Sequence, residues 1–95
     1  MVCHVYMLTN AHKTVLYTGV TTDLVQRMEQ HRAGMRKSFA WRYNANRLVY
    51  AEPFDDLAAA QEYEARLKRP HRAWKEQLIS EQNPDWLDLA DGVIL

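Results

Sequence analysis

The chain has 95 residues, 47% of them hydrophobic and 25% charged, and its formal net charge is zero. A chain of this length forms one domain with one modest core, so we predict a single domain over residues 1–95. It has no apolar run of about 18 residues and no signal-peptide pattern, which excludes a membrane-spanning helix and predicts a cytoplasmic protein without a membrane partner.

The first part of the chain predicts a hairpin followed by a helix. Residues 2–9 are β-branched and aromatic, and residues 15–20 form the return strand after a polar turn. Three N-cap residues at 21–23 predict a helix from Leu24 to about Ala33. The lone cysteine, Cys3, lies in the first strand, which predicts a buried thiol in a reducing compartment.

The second part predicts one strand and two helices. Residues 35–46 are basic and aromatic without a clear period, which indicates a loop, and residues 47–54 form a third strand. A helix capped at Asp55 or Asp56 follows, running to about residue 68, and a second helix over about 71–81 follows Pro70. A short helical turn over 86–90 closes the chain. The order β-β-α-β-α-α predicts an α/β fold, α+β in stricter usage, with a three-stranded antiparallel sheet flanked by helices.

One residue of the first helix after the third strand conflicts with its apolar face. Leu57, Ala60, Glu64 and Leu67 stand at i, i+3, i+7 and i+10, which is one face. A carboxylate removed from water needs a charged partner or a metal. Glu64 therefore either takes part in a site or lies at the solvated margin of a helix that is rotated a little.

The charges are segregated although they sum to zero. Residues 30–51 contain five basic and no acidic side chains, residues 65–75 contain five more basic ones, and the last twenty residues contain five acidic and no basic ones. Segregation of this kind can attract phosphate groups locally. The alternative is a set of solvated faces without a partner.

Polar residues that could take part in catalysis border the predicted core in two places. In the first helix, Asp23, Arg27 and His31 are spaced by four along one flank of the apolar stripe Leu24, Val25 and Met28. In the hairpin, Tyr6 and Tyr17 are directly opposite if the loop has two residues, and diagonal neighbours if it is longer. Gly19 lies on the same face as Tyr17, where it permits a bulge or a close approach.

Taken together, these residues resemble the GIY-YIG nuclease family. The hairpin contains His4-Val5-Tyr6 and Tyr17-Thr18-Gly19, the following helix contains Arg27 and His31, and a later helix contains Glu64. The chain is similar to small stand-alone members of that family over nearly all its length. It departs from the signature where histidine and valine replace the first glycine and isoleucine, and where threonine replaces the second isoleucine.

The resemblance implies a metal-dependent DNA endonuclease, in DNA repair or recombination, with no small-molecule cofactor. The implied catalytic residues are Tyr6, Tyr17, Arg27, His31 and Glu64, with Gly19 as a structural residue at the site. Glu64 would hold Mg²⁺ or Mn²⁺, since Mg²⁺ can be bound by one protein carboxylate, water and substrate phosphate. Arg27 would bind a phosphate oxygen, and the proton acceptor is open among Tyr6, Tyr17 and His31.

DNA would lie across the hairpin and the first helix, bound by a monomer or a weak dimer. We expect its phosphates to be held by Arg36, Lys37, Arg42 and Arg47. Trp41 and Tyr43 either stack on unpaired bases or anchor the loop to the core. Asn83 is left outside the catalytic set because Asn-Pro is also a common turn former.

Two other functions are compatible with the same residues. One is a nucleic-acid-binding module of the same fold that has lost turnover. The other is a protein-interaction domain, which the acidic tail and zero net charge favour.

Overall fold

The computed structural model describes residues 2–32, 45–69 and 71–90. Three antiparallel strands form one sheet, and the elements are β1 (Cys3–Thr9), β2 (Leu16–Thr21), α1 (Leu24–Arg32), β3 (Arg47–Phe54), α2 (Leu57–Leu67) and α3 (Arg72–Gln82). The strand order is β2-β1-β3, so β1 is central and β2 is an edge strand. The predicted fold class and element order are confirmed. Most of the predicted loop over 35–46 lies outside the described residues.

Alternation along β1 places helices against both faces of the sheet. Cys3, Val5 and Met7 pack with Ala60, Leu67 and Ile79, which belong to α2 and α3. Tyr6 and Leu8 point the other way and pack with Leu24 and Met28 of α1. Cys3 is a free, buried thiol, as predicted. Because β1 is covered on both sides, it is buried at almost every position.

A bulge in β3 changes the register of the sheet. Met7 pairs with Tyr50 but Leu8 pairs with Leu48, so Val49 is the extra residue. Val49 and Tyr50 therefore both pack on the α2–α3 side, whereas Leu48 packs on the α1 side.

The tail after α3 is not helical, and the predicted turn of helix over 86–90 is wrong. Trp86 has a φ of 53°, which a right-handed helix does not allow. The tail bonds instead to the outer edge of β3: Leu48 N donates to Asp88 Oδ1 at 3.1 Å, and Leu89 N donates to Leu48 O at 2.7 Å. These contacts cover part of an otherwise open strand edge.

The predicted helix caps are present, but two apolar side chains are more exposed than expected. Asp23 Oδ1 accepts a hydrogen bond from Gln26 N at 3.0 Å, and Asp56 Oδ1 accepts one from Ala58 N at 3.1 Å. Val25 is 44% exposed because Leu24 and Met28 form a stripe only one residue wide. Leu57 is 43% exposed because the buried positions of α2 begin one turn later, at Ala60.

Arg72 ties the hairpin loop to α3. Its guanidinium donates to the carbonyl oxygens of Lys13 at 2.6 Å and Thr14 at 3.2 Å, and to Glu76 Oε2 at 2.9 Å. Lys13 Nζ also lies 5.7 Å from the centre of the Trp86 ring. The loop between β1 and β2 is thereby held against the helical layer. In the part of the chain that the structure describes, no helix is long and apolar enough to cross a membrane.

Candidate active site

The two hairpin tyrosines meet on the α1 side of the sheet. Tyr6 pairs with Gly19 and Leu8 pairs with Tyr17, so the tyrosines are diagonal neighbours, as expected for the longer of the two loops considered. Their ring centroids are 6.3 Å apart and their planes are inclined at 47°. The side chains share a hydrogen bond, which makes them one unit.

Gly19 leaves the space that the Tyr6 ring occupies. A Cβ atom at this position would lie 2.5 Å from Tyr6 Oη and 2.6 Å from Tyr6 Cζ. Both distances are far inside van der Waals contact, so a side chain here would force the phenol to move. The glycine therefore directs the Tyr6 hydroxyl across β2 towards the open edge of the sheet.

Glu64 lies on the inner face of α2. Ala60 and Leu67, on the same face, are completely buried, and α2 packs against β1 and β2. The Glu64 side chain is 18% exposed, and its Oε2 lies 3.2 Å from Lys68 Nζ, one turn further on. The carboxylate is therefore paired and mostly covered, yet still reaches water.

The charges of Arg27 and Glu64 both act on the Tyr6 hydroxyl. Burial raises the pKa of Tyr6. The neighbouring Tyr17 and the charge of Glu64 raise the pKa of Tyr6 further, whereas the charge of Arg27 lowers it. Arg27 acts on the phenol from α1, and Glu64 acts on it from α2. The phenol pair beside β2 is thus subject to one positive and one negative charge.

The structure leaves most of the other predicted site residues undescribed. His31 is in α1, one turn after Arg27, but its side chain is not among those described. Arg36, Lys37 and Arg42 lie outside the described residues, as do Trp41 and Tyr43.

Arg47 is exposed and begins β3, at the opposite edge of the sheet from β2. It is not brought together with the tyrosines. Any contact that Arg47 makes with a phosphate would therefore be remote from the site at the β2 edge.

The side-chain amide of Asn83 forms its hydrogen bonds within the turn that follows α3 and with β3. Its Nδ2 donates to the carbonyl oxygens of Val49 at 3.2 Å and Leu87 at 2.8 Å, and its Oδ1 accepts from Leu87 N at 3.1 Å. These bonds hold the tail on β3. They give Asn83 a structural role and keep its amide away from the β2 edge.

A cleft beside the site contains two lysines that the sequence interpretation did not assign to it. Its volume is about 240 Å³, and it is lined by Leu16, Tyr17, Thr18, Lys68 and Lys75. Lys68 stands four residues after Glu64, a spacing that predicts contact on a helix. No spacing in the sequence predicted that Lys75 would lie near Glu64, because the break between α2 and α3 separates the two residues.

The donor set suits a cation that keeps most of its water. Among residues 2–32, 45–69 and 71–90, no three His, Cys, Asp or Glu side chains form a metal-binding group. Glu64 supplies one hard oxygen ligand, which suits a hydrated divalent cation better than a metal enclosed by protein ligands.

The fold and this site define a known class of domain. The GIY-YIG catalytic domain family matches residues 2–77, a range that contains every group at the β2 edge. The chain therefore belongs to the GIY-YIG family, whose domain is a nuclease domain.

Similar proteins place the chain among small members of that family. A UPF0213 protein of Natronomonas pharaonis is 37% identical over 79 residues, which are 83% of this chain and 92% of the relative. A UPF0213 protein of Syntrophus aciditrophicus is 37% identical over 86 residues, covering 86% of this chain and 93% of the relative. The solution NMR structure of a UPF0213 protein from Bacillus halodurans has a TM-score of 0.59 at 27% identity and covers 100% of both chains.

Proposed function

We propose that this protein is a metal-dependent DNA endonuclease that hydrolyses phosphodiester bonds at the outer edge of β2. One observation carries the proposal: the Tyr6 and Tyr17 rings lie 6.3 Å apart beside β2, where the charges of Arg27 and Glu64 both act on the Tyr6 hydroxyl. Membership of a nuclease family supports the same chemistry. A role in DNA repair or recombination, in the cytoplasm, is part of the proposal.

Arg27, Tyr6 and Tyr17 have different roles in the proposed hydrolysis. The guanidinium binds oxygens of the reacting phosphate through paired donors and offsets the charge that develops there. Tyr6 is buried and its raised pKa keeps it protonated, so it orients its neighbour by hydrogen bonding. Tyr17 is half-buried and lines the cleft, so it meets the attacking water; His31 is the alternative proton acceptor.

Glu64 would hold the divalent cation, Mg²⁺ or Mn²⁺. When bound, such a cation neutralises charge on the phosphate and stabilises the leaving oxygen. In the free protein the carboxylate is instead balanced by Lys68. A cation that binds there would replace Lys68 as the partner of one carboxylate oxygen.

Nicking of supercoiled plasmid tests the proposal. We expect the parent protein to nick DNA with Mg²⁺ or Mn²⁺ and not with EDTA, and Glu64→Gln to lower the rate by about 10²–10³-fold, as for loss of one strong electrostatic contact. Glu62→Gln is the matched control, because Glu62 is exposed and points away from the inner face of the same helix. It should nick like the parent.

The Lys68–Glu64 ion pair favours a second candidate, a module that binds nucleic acid without turnover. The pair already occupies one carboxylate oxygen that a metal would need. Equal inertness of the parent and Glu64→Gln at high protein concentration, together with retained DNA binding, would contradict the nuclease proposal and establish this alternative.

A comparison of cleavage substrates addresses which DNA structure the protein cleaves. No sequence-reading element accompanies the domain in the described residues, so we expect cleavage to follow DNA structure, with affinity that falls steeply as salt rises. Comparing duplex, flap and single-stranded DNA of the same sequence measures this. Phosphate contacts from Arg36, Lys37 and Arg42 stay predictions, and a contact from Arg47 would lie at the opposite edge of the sheet from β2.

A further inference from the structure

The cleft beside the site is positively charged on the side of the helices. Its walls are three residues of β2, whereas Lys68 at the end of α2 and Lys75 in α3 supply its charges. Among residues 2–32, 45–69 and 71–90, β2 has a neighbouring strand on one side only, and residues 16–18 of this edge strand line the cleft. The cleft is thus accessible to an extended ligand that runs along this edge.

Lys75 has a charge that the described residues do not balance. Among them, the carboxylates that form ion pairs near the cleft are Glu64, with Lys68, and Glu76, with Arg72; none pairs with Lys75. Lys75 is half-buried, and its burial, followed by the nearby Arg72 guanidinium, lowers its pKa. A half-buried cation that lacks a counter-ion is held at an energetic disadvantage that a bound anion would remove.

Lys68 joins the cleft to the candidate active site. Its ammonium group lies 3.2 Å from Glu64 Oε2, and its side chain is 58% exposed, so donors of the ammonium group are also free to meet a ligand in the cleft. Tyr17 also belongs to both the candidate active site and the cleft, since it contacts Tyr6 and lines the cleft. The cleft therefore begins where the reacting phosphate would lie.

We propose that Lys68 and Lys75 together bind one backbone phosphate of the nucleic acid strand, next to the phosphodiester that is cleaved. This inference rests on the proposed function, which places the strand along β2. The strand would then run from Arg27, past Tyr17 and Glu64, into the cleft. Such a contact positions the strand without specifying its sequence.

The test measures binding without cleavage, so that it does not depend on turnover. Fluorescence anisotropy of a labelled DNA duplex is recorded with Ca²⁺ in the Glu64→Gln background over a series of salt concentrations. We expect Lys68→Gln and Lys75→Met each to weaken binding by about 5–10-fold. The double variant should reduce the salt slope by about 0.9, the value for one lost phosphate contact, because only there does the phosphate lose both lysines.

Two variants serve as controls. Arg66→Gln removes the same charge from α2, but Arg66 lies over the Tyr63 ring, 5.6 Å from its centre and away from the cleft. It should bind DNA like the background protein. Lys75→Arg keeps the charge and should restore binding, while Lys75→Met keeps the aliphatic stem that packs in the cleft.

The outcomes separate the two proposals. Lysine variants that match Arg66→Gln in affinity and salt slope, or a background protein that binds no DNA at low salt, would overturn the phosphate site. Lysine-dependent binding by a parent protein that never nicks DNA supports the phosphate site and removes only the nuclease proposal.

Discussion

At the scale of single residues, burial separates two tyrosines that the sequence presents as equivalent. Tyr6 is 1% exposed, and its ring passes over Gly19. Tyr17 is half-buried and faces the cleft. The close approach of Tyr6 to Gly19 is thus a packing requirement, and it sets where the phenol hydroxyl of the site can lie.

We expect Gly19→Ala to destabilise the protein by about 1–3 kcal/mol, the range for overpacking. The smaller entropy of the unfolded alanine chain opposes this by about 0.4–1 kcal/mol, which is too little to change the sign. Urea denaturation measures the difference. In a Tyr6→Leu background, which removes the phenol end of the side chain, Gly19→Ala should cost much less. An equal cost in both backgrounds would show that the contact is not responsible.

At the scale of elements, the turn after α3 has a structural task that its sequence left undecided. Asn83 is 5% exposed and bonds to β3 and to the tail through all parts of its amide. The tail in turn bonds to Leu48 beside the β3 bulge. The turn therefore joins α3, the tail and the sheet edge.

We expect Asn83→Asp to destabilise the fold by about 2–4 kcal/mol, because two buried donors become acceptors that face carbonyl oxygens. Asn10→Asp is the matched control. Asn10 Oδ1 accepts from Thr14 N at 2.8 Å and Val15 N at 3.3 Å, and Nδ2 donates to the Thr14 hydroxyl at 2.7 Å. Aspartate can keep these contacts once the hydroxyl turns to donate, so its effect should stay within about 0.5 kcal/mol.

Thermal and urea unfolding of both variants provide the measurement. If Asn83→Asp kept full stability and instead abolished DNA cleavage, Asn83 would belong to the catalytic machinery and the structural role assigned to it here would be wrong.

At the scale of the whole molecule, the sheet buries one tyrosine hydroxyl on each face. Burial raises the pKa of Tyr6 on the α1 side. Burial also raises the pKa of Tyr50 on the other side, and its hydrogen bond to the Tyr63 hydroxyl at 2.8 Å raises it further. Both phenols stay protonated in the folded protein at pH values where unfolded tyrosines ionise.

We therefore expect stability to fall as pH rises above about 10, the tyrosine pKa in unfolded chains. Above that pH the unfolded state binds fewer protons than the folded state, so each buried tyrosine lowers stability by up to about 1.4 kcal/mol per pH unit. Tyr6→Phe and Tyr50→Phe should each remove one such contribution from the slope. Urea unfolding between neutral and alkaline pH measures it, and an unchanged slope in the double variant would contradict the linkage.

The sequence by itself determined the order of the elements and the bounds of β3, and it limited the helix caps to residues 21–23 and to Asp55 or Asp56. These features depend on residues close together in the chain, whose periodicity and capping chemistry are local. Its GIY-YIG resemblance also named the family correctly.

Only the tertiary structure decided which of those residues meet. The diagonal pairing of the tyrosines follows from the length of a loop that Arg72 holds, and the burial of Tyr6 follows from α1 packing on its face. The cleft arises because the sheet order leaves β2 at an edge, where the ends of two separate helices bring Lys68 and Lys75 together. Such contacts join parts of the chain that no local pattern connects, so only packing of the whole domain defines them.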